Sequence, residues 1–201
     1  MKYNPRRHNR RSMRLKGYDY SRTGLYFITI CCQNRLHLFG HIELGNVVLN
    51  SFGAIIKEEW EQTPHIRNNT ALHEYIIMPN HFHAIIEILF LKQHEKSGWE
   101  VKNKGESGFK SPSQTIGAII RGFKGATTKR IKKYIWDLEQ GKGELQFAPT
   151  GIAPTGIDLS RSIWQRNYYE HIIRNKKSHQ IISKYIRNNP VNWRDDRFYK
   201  N

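Results

Sequence analysis

Four segments of the chain have the hydrophobic pattern of β-strands. They are rich in β-branched and aromatic residues, they are bounded by turn residues, and they cover residues 25–32, 72–78, 81–89 and 163–173. The turn signal Met78-Pro-Asn80 joins the second segment to the third. These patterns predict a sheet of four strands.

Three further segments carry apolar residues at helical spacing. Residues 49–62 and 114–136 predict amphipathic helices. A last helix is expected to begin at Lys177 or Ser178 and to be stopped by Pro190. The order strand, helix, strand, strand, helix, strand, helix predicts an α+β fold. We expect a ferredoxin-like βαββαβ antiparallel sheet with helices on one side and an additional C-terminal helix.

Two histidines on the third predicted strand are candidate metal ligands. Because side chains alternate along a strand, His81 and His83 share one face and Phe82 points to the other. In the last helix, Tyr185 and Asn189 stand one turn apart on one face. Together they predict metal-assisted attack by tyrosine on a phosphate. The alternatives are a polar sheet face for the histidines and a core position for the tyrosine.

The charge of the chain indicates a polyanionic partner. The formal net charge is +16 over 201 residues, with a sequence pI of about 10.0. Each phosphate that such a surface neutralises releases counterions, so nucleic acid is the expected partner. No run of about eighteen apolar residues and no signal-type block is present, so we expect no membrane contact and a soluble, cytoplasmic, nucleoid-associated protein. Adjacent Cys31 and Cys32 are expected to be reduced.

The first 24 residues form a candidate DNA-contacting arm. They contain eight Lys or Arg and one acid. Arginine interleaved with aromatic residues is suited to contact phosphates and to stack on unpaired bases, although a solvated terminus is the alternative. The residues expected to contact DNA are Arg10, Arg11, Arg14, Tyr18 and Tyr20.

The predicted helix over residues 114–136 has a second basic surface. No acid interrupts residues 121–133. A face of one charge is often only solvated, but on so basic a chain it predicts a track for phosphates. Its members are Arg121, Lys124, Lys129 and Lys132, with Lys133 flanking.

Four segments in the same order resemble the REP-associated tyrosine transposases of the HUH endonuclease superfamily, relatives of the single-tyrosine insertion-sequence transposases. They are Tyr18-Asp-Tyr-Ser21 with Gly24-Leu-Tyr-Phe-Ile-Thr-Ile-Cys31, Met78-Pro-Asn-His-Phe-His-Ala-Ile-Ile86, Ile163-Trp-Gln-Arg-Asn-Tyr-Tyr-Glu-His-Ile-Ile-Arg174, and Lys184-Tyr-Ile-Arg-Asn-Asn-Pro190. The match covers most of the chain. It lapses at residues 93–112 and 138–160, which we interpret as loop insertions in a single domain spanning residues 1–201.

The resemblance implies a role for each candidate residue. His81 and His83 would bind a divalent metal, Tyr185 would cut single-stranded DNA, and Asn189 would complete the metal site, where relatives often have glutamine. The implied substrate is single-stranded DNA beside a hairpin of a palindromic repeat, and no obligate protein partner is expected. Attack would leave a 5′-phosphotyrosine and a free 3′-hydroxyl. Imidazole ligands favour Mn²⁺ in affinity, with Mg²⁺ the working ion by abundance, and Zn²⁺ also fits the two histidines.

Two other classes of function compete with this interpretation. A ferredoxin-like sheet can bind single-stranded nucleic acid without cutting it. Alternatively, one of the two histidines could itself be the nucleophile of a phosphotransferase or hydrolase. Histidine-triad hydrolases need a third histidine where this chain has Ile85. Retention of both histidines, Tyr185 and Asn189 favours the nuclease.

Overall fold

The computed structural model describes residues 18–91, 115–141 and 162–199. Arg10, Arg11 and Arg14 lie outside the described residues, as does nearly all of the two predicted insertions. The elements in chain order are β1 (Gly24–Cys31), β2 (Gly40–Glu43), β3 (Asn46–Leu49), α1 (Ser51–Glu61), α2 (Thr63–Ile66), β4 (Thr70–Met78), β5 (His81–Ile88), α3 (Ile116–Glu139), β6 (Tyr169–Ile173) and α4 (Lys176–Asn188).

The main sheet has four strands in the order β4-β5-β1-β6, and every neighbouring pair is antiparallel. The prediction of a mixed structure with an antiparallel sheet and helices is confirmed. The strand predicted over residues 163–173 was too long, because β6 begins only at Tyr169. Before it, Trp164 touches the sheet through one isolated bridge to Cys32. The second predicted insertion was placed too early, because α3 continues to Glu139.

A small hairpin, β2–β3, was not predicted. Its turn residues Leu44 and Gly45 both have positive φ, of 48° and 76°. Two consecutive positive φ values match the right-handed twist of a hairpin, and glycine adopts such a conformation without a Cβ clash. The two strands have only four residues each, which is too short for a clear alternating pattern.

Alternation along the strands divides the hydrophobic residues between two faces of the sheet. On one face, Phe82 and Ile86 of β5 pack with residues of α1 and α3 in the larger core. On the other face, Phe27 and Ile85 pack with Ile186 of α4. His81, His83 and Ile85 are alternate residues of β5, so their side chains lie on one face of the sheet. Helix α4 therefore covers the face that carries both histidines.

Capping residues fix where the helices begin. Asn50 accepts hydrogen bonds from the backbone N–H groups at the start of α1, and Asn175 does the same for α4. The cap of α4 was predicted two or three residues too late. An Asn side chain supplies the acceptor that the first turn of a helix lacks, and such caps stabilise a helix by about 1 kcal/mol. Within the three described stretches, we find no helix that is both long enough and apolar enough to cross a membrane.

Candidate active site

Strand β5 carries the two histidines into the centre of the molecule. In the sheet register, His83 lies between Thr29 of β1 and Ile76 of β4, and His81 lies between Cys31 and Met78. The two imidazole rings are 4.5 Å apart between centroids and are almost completely buried. The structure therefore brings the predicted pair together on one face.

The His83 ring is held from both sides. The Thr29 hydroxyl lies 2.8 Å from Nδ1, and the Tyr185 hydroxyl lies 3.1 Å from Nε2. The tautomer with its proton on Nδ1 donates to Thr29 and leaves the Nε2 lone pair facing Tyr185. Tyr185 and His83 are 102 positions apart in sequence, so this contact joins the two halves of the predicted site.

His81 has one ring nitrogen that lacks a partner. Its Nδ1 lies 2.9 Å from the Asn80 side-chain oxygen, while its Nε2 is buried without a hydrogen bond. Burial lowers the pKa of His81 to about 3, and burial also lowers the pKa of His83 well below the usual value. Both imidazoles are therefore neutral at pH 7, which is the form that coordinates a metal.

Asp196 completes the cluster, and the sequence interpretation missed it. Its carboxylate, His81 and His83 offer ligand atoms that all lie within 4.8 Å of one another. Asn189, the predicted third ligand, donates its amide N–H to Asp196 at 2.9 Å and keeps its side-chain oxygen buried without a partner. One signal was available in the sequence, because Asp195 and Asp196 are the only acids after Glu170.

The C-terminal segment positions Asp196 over the sheet. After α4, residues Trp193–Asp195 form a 3-10 turn. The side-chain amide of Asn80 then donates to the Phe198 carbonyl at 2.9 Å, and the Phe198 N–H donates to Asp196 at 2.7 Å. The Trp193 and Phe198 rings pack beside His81. Asn80, next to the histidines in sequence, therefore anchors the segment that supplies the carboxylate.

These residues fit a divalent metal ion. Two neutral imidazoles and one carboxylate are a common donor set for borderline cations. The buried, unpartnered atoms His81 Nε2 and Asn189 Oδ1 are the stronger indication, because a buried polar atom without a partner is costly unless something binds it.

Tyr185 lies at the mouth of this cluster. Tyr185 is 42% exposed and lies at the edge of the helix face that buries Ser183 and Ile186. Burial of its inner part raises the pKa of the phenol, so it is protonated at neutral pH. A cavity of about 310 Å³ opens beside it. The lining residues are Ile181, Lys184, Tyr185, Asn188, Asn189, Asn192, Asp195 and Asp196.

The two tyrosines predicted to contact DNA pack into the fold instead. Tyr20 is 8% exposed and belongs to the larger core, which corrects its predicted place on an open arm. Tyr18 is half-buried beside it, with its hydroxyl 3.4 Å from that of Tyr26. An aromatic ring in the core cannot stack on a base, so Tyr20 serves packing.

The basic residues of α3 are not brought to the tyrosine. Helix α3 packs on the opposite face of the sheet from α4. Arg121, Lys129 and Lys132 are exposed there, and Lys133 pairs with Asp137 at 2.6 Å. Lys124 is different, because its half-buried ammonium donates to three backbone carbonyls just before β6. These belong to Gln165, Arg166 and Asn167, at 2.9, 3.4 and 3.2 Å.

Comparison with known proteins places the chain among relatives. No protein-family model matches it. A protein of Haemophilus influenzae, described as uncharacterized, is 40% identical over 200 residues, covering 98% of this chain and 97% of that protein. The solved structure of a REP-associated tyrosine transposase bound to a REP hairpin aligns with a TM-score of 0.52 and 17% identity, covering 91% of this chain and 74% of that one. The chain therefore belongs to one family with the H. influenzae protein and has the fold of a REP-associated tyrosine transposase, as its sequence motifs predicted.

Proposed function

We propose that the protein is a metal-dependent endonuclease and strand transferase, similar to a transposase, which acts on single-stranded DNA at palindromic repeat hairpins. The observation that carries this proposal is the Tyr185 hydroxyl 3.1 Å from His83 Nε2, beside a buried cluster of His81, His83 and Asp196. The related fold of a transposase bound to a REP hairpin supports the choice of substrate. We also interpret the strand order β4-β5-β1-β6 as the ferredoxin-like arrangement, with α4 added.

His81, His83 and Asp196 would hold the ion, with the side-chain oxygen of Asn189 within reach of the same space. A divalent ion bound there, Mg²⁺ or Mn²⁺, would polarise a phosphate and would stabilise the charge that develops on it. The lone pair of His83 Nε2 can serve either a metal or the Tyr185 proton, but not both. If His83 Nε2 held the ion, the Tyr185 hydroxyl would no longer be hydrogen-bonded to that nitrogen.

Tyr185 would be the nucleophile. Its oxygen forms a bond to the scissile phosphorus, the bond from phosphorus to the 3′-oxygen breaks, and the strand is left with a free 3′-hydroxyl. The phenol proton leaves during this attack, because the raised pKa of Tyr185 keeps the group protonated beforehand. The departing 3′-oxygen takes up a proton and becomes the hydroxyl, so the proton count of the step is unchanged. The phosphotyrosine conserves the phosphodiester energy, so a 3′-hydroxyl can later rejoin the strand.

The cavity beside Tyr185 offers a place for the DNA strand. Lys184 supplies a cation for a phosphate, and Asn188 and Asn192 supply amides that can bond to base edges or to the backbone. A fully paired backbone is too rigid to enter such a site, so an unpaired strand beside a hairpin is the expected substrate. We further propose one domain over residues 1–201, with DNA contacts from Arg10, Arg11 and Arg14.

A covalent-trapping experiment tests the proposal. A labelled oligonucleotide with a hairpin and a single-stranded flank is incubated with the protein and Mn²⁺, and the adduct is mapped by mass spectrometry. Natural protein should form an adduct on Tyr185, and Tyr185→Phe should form none while it binds DNA with nearly unchanged affinity. Tyr169→Phe is the matched control, because Tyr169 packs on Phe27 on the same face of the sheet.

Two outcomes would overturn the assignment. An adduct that persists in Tyr185→Phe places the nucleophile elsewhere. Tight binding of the oligonucleotide with no adduct in the natural protein, under Mn²⁺ or Mg²⁺, favours the competing function of a binding protein that does not cut.

A further inference from the structure

A second group of metal-ligating side chains joins the edge strand β4 to α4. His73 and Glu74 of β4 and His179 of α4 offer ligand atoms that all lie within 4.8 Å of one another. All three side chains are half-buried. His179 lies on the helix that carries Tyr185, six residues earlier. The group is separate from the cluster of His81, His83 and Asp196 and has no part in the proposed cleavage reaction.

A β-bulge creates this group. Leu72 pairs with Ile86 and Tyr75 pairs with Ala84, so two residues of β4 stand opposite Ile85 alone. In a regular strand, neighbouring side chains point to opposite faces. A bulge instead re-aims one of them. Both bulge residues, His73 and Glu74, consequently face α4.

The hydrogen bonds leave ligand atoms available. His73 Nε2 lies 2.9 Å from a carboxylate oxygen of Glu87, so its Nδ1 is the nitrogen left for an ion. His179 Nε2 is buried without a hydrogen-bond partner. One oxygen of Glu74 pairs with Arg187 at 2.7 Å. The contact of His73 with a carboxylate is the arrangement that orients a metal-bound histidine and raises its basicity.

We propose that His73, Glu74 and His179 form a second metal site, which takes a borderline divalent ion of the Zn²⁺ type and ties α4 to the edge of the sheet. Two imidazoles and one carboxylate supply three protein ligands. A water molecule would take the fourth position around Zn²⁺. Soft metal ions prefer thiolate ligands, and this group of residues contains no cysteine. Hard Mg²⁺ or Ca²⁺ prefers an all-oxygen shell. The carboxylates of Glu74 and Glu87 outweigh the single positive charge of Arg187, so the local charge favours a cation.

The site has a structural consequence for the proposed nucleophile. Helix α4 contacts the sheet through β4 and β5, and the smaller core behind it contains four buried residues in the part of the chain that the structure describes. A metal bridge from β4 to His179 restrains the first half of this helix. Tyr185, farther along the same helix, is then held more firmly against His83.

Metal stoichiometry tests the proposal without any DNA. Metal-free natural protein is titrated with ZnCl₂ by calorimetry, and bound zinc is counted after gel filtration. The natural chain should bind two Zn²⁺, and His179→Gln should bind one. The double variant His81→Ala with His83→Ala should keep one Zn²⁺, and adding His179→Gln to it should weaken this binding at least tenfold. His65→Gln, at an exposed histidine on α2, is the matched control and should bind as its parent does.

Thermal melting supplies a second measurement for each variant. Zn²⁺ should raise the Tm of the double histidine variant, and this rise should disappear when His179→Gln is added, since a ligand that binds only folded protein stabilises it. Equal zinc content in the natural protein and His179→Gln would overturn the proposal. So would a double variant that is folded by circular dichroism and takes up no Zn²⁺. Neither result touches the cleavage assignment, which rests on the adduct at Tyr185.

Discussion

The Thr29 hydroxyl determines which ring nitrogen of His83 is free to face Tyr185. The Thr29 hydroxyl lies 2.8 Å from Nδ1, so this nitrogen is hydrogen-bonded to β1. The other nitrogen, Nε2, faces the Tyr185 hydroxyl. The sequence places Thr29 on the same face as Phe27 by alternation along β1. Partners behind a ligand ring commonly control metal affinity by 10- to 100-fold, so Thr29 belongs to the site although it touches no substrate.

At the same scale, Asp196 is expected to matter more than Asn189 for metal binding. Asp196→Asn preserves size but removes the only negative charge of the cluster, so the affinity for Mn²⁺ should fall by about tenfold or more. Asn189→Ala should cost less, because an amide oxygen is a weaker donor. Calorimetric titration with Mn²⁺ measures both. Asp195→Asn makes the same charge change next door, and an equal loss there would show that general charge, not coordination, is responsible.

Acid should destabilise the metal-free protein through its buried imidazoles. An unfolded histidine takes up a proton near pH 6.5, whereas His81 resists protonation until about pH 3. The unfolded state therefore binds more protons between these values, and the free energy of unfolding falls as the pH is lowered, by about 1.4 kcal/mol per pH unit for one such group. Below the lower value both states are protonated and the loss is complete.

Urea unfolding of chelator-treated protein between pH 7 and pH 4 measures this dependence. In the His81→Gln variant the new side chain cannot be protonated, so the free energy of unfolding should fall less steeply between pH 7 and pH 4. His171→Gln replaces an exposed histidine of β6 and should leave this fall unchanged. Superimposable pH profiles for His81→Gln and the natural protein would contradict the assignment.

The candidate site residues that were predicted and the one that was missed differ in whether a sequence pattern indicates their position. His81, His83 and Tyr185 lie on regular elements, where alternation and helical spacing tell which face a side chain takes. Asp196 follows a 3-10 turn in the C-terminal segment, where no period applies. Its position depends on the contact from Asn80 to Phe198, which joins residues 118 positions apart. Such a contact is visible only in three dimensions.

At the scale of elements, the segment before β6 shows why a good strand pattern can fail. Ile163, Trp164 and Tyr168 are residue types typical of a strand, yet between residues 163 and 168 only Trp164 makes a bridge to the sheet. The backbone carbonyls of Gln165 to Asn167 turn instead to the Lys124 ammonium. The half-buried Lys124 ammonium thus replaces the hydrogen bonds that a neighbouring strand would have supplied.

Lys124 is consequently expected to support the fold of this segment. Lys124→Met keeps the length of the side chain but leaves three carbonyls without their donor, so it should lower the free energy of unfolding by about 1–3 kcal/mol. Lys129→Met, at an exposed position of the same helix, should change stability by less than about 0.5 kcal/mol. Urea denaturation at pH 7 compares them. A stable Lys124→Met protein with weakened DNA binding would restore the original interpretation of Lys124 as a phosphate contact.

For the whole molecule, the sheet separates two surfaces that the sequence could not place relative to each other. The tyrosine, the cluster of His81, His83 and Asp196, and the cavity with Lys184 lie on the α4 face. The exposed cations of α3 lie on the opposite face. A helical pattern predicts which side of a helix is basic, but the side of the sheet on which that helix packs follows from the tertiary fold. DNA held by both surfaces must pass around the sheet.

The two surfaces should therefore have separable effects on DNA. Lys129→Gln with Lys132→Gln removes cations far from Tyr185, so it should weaken binding and lower the slope of log affinity against log salt by about 1.4 if both contact single-stranded phosphates. Cleavage at saturating DNA should be unchanged. Lys184→Gln, beside Tyr185 in the cavity, should instead slow cleavage at saturation, because it positions the reacting strand. Binding titrations of hairpin, single-stranded and duplex oligonucleotides at several salt concentrations, with cleavage measured in parallel, distinguish these effects. An unaltered salt slope in the α3 variant would remove that face from the DNA-binding surface.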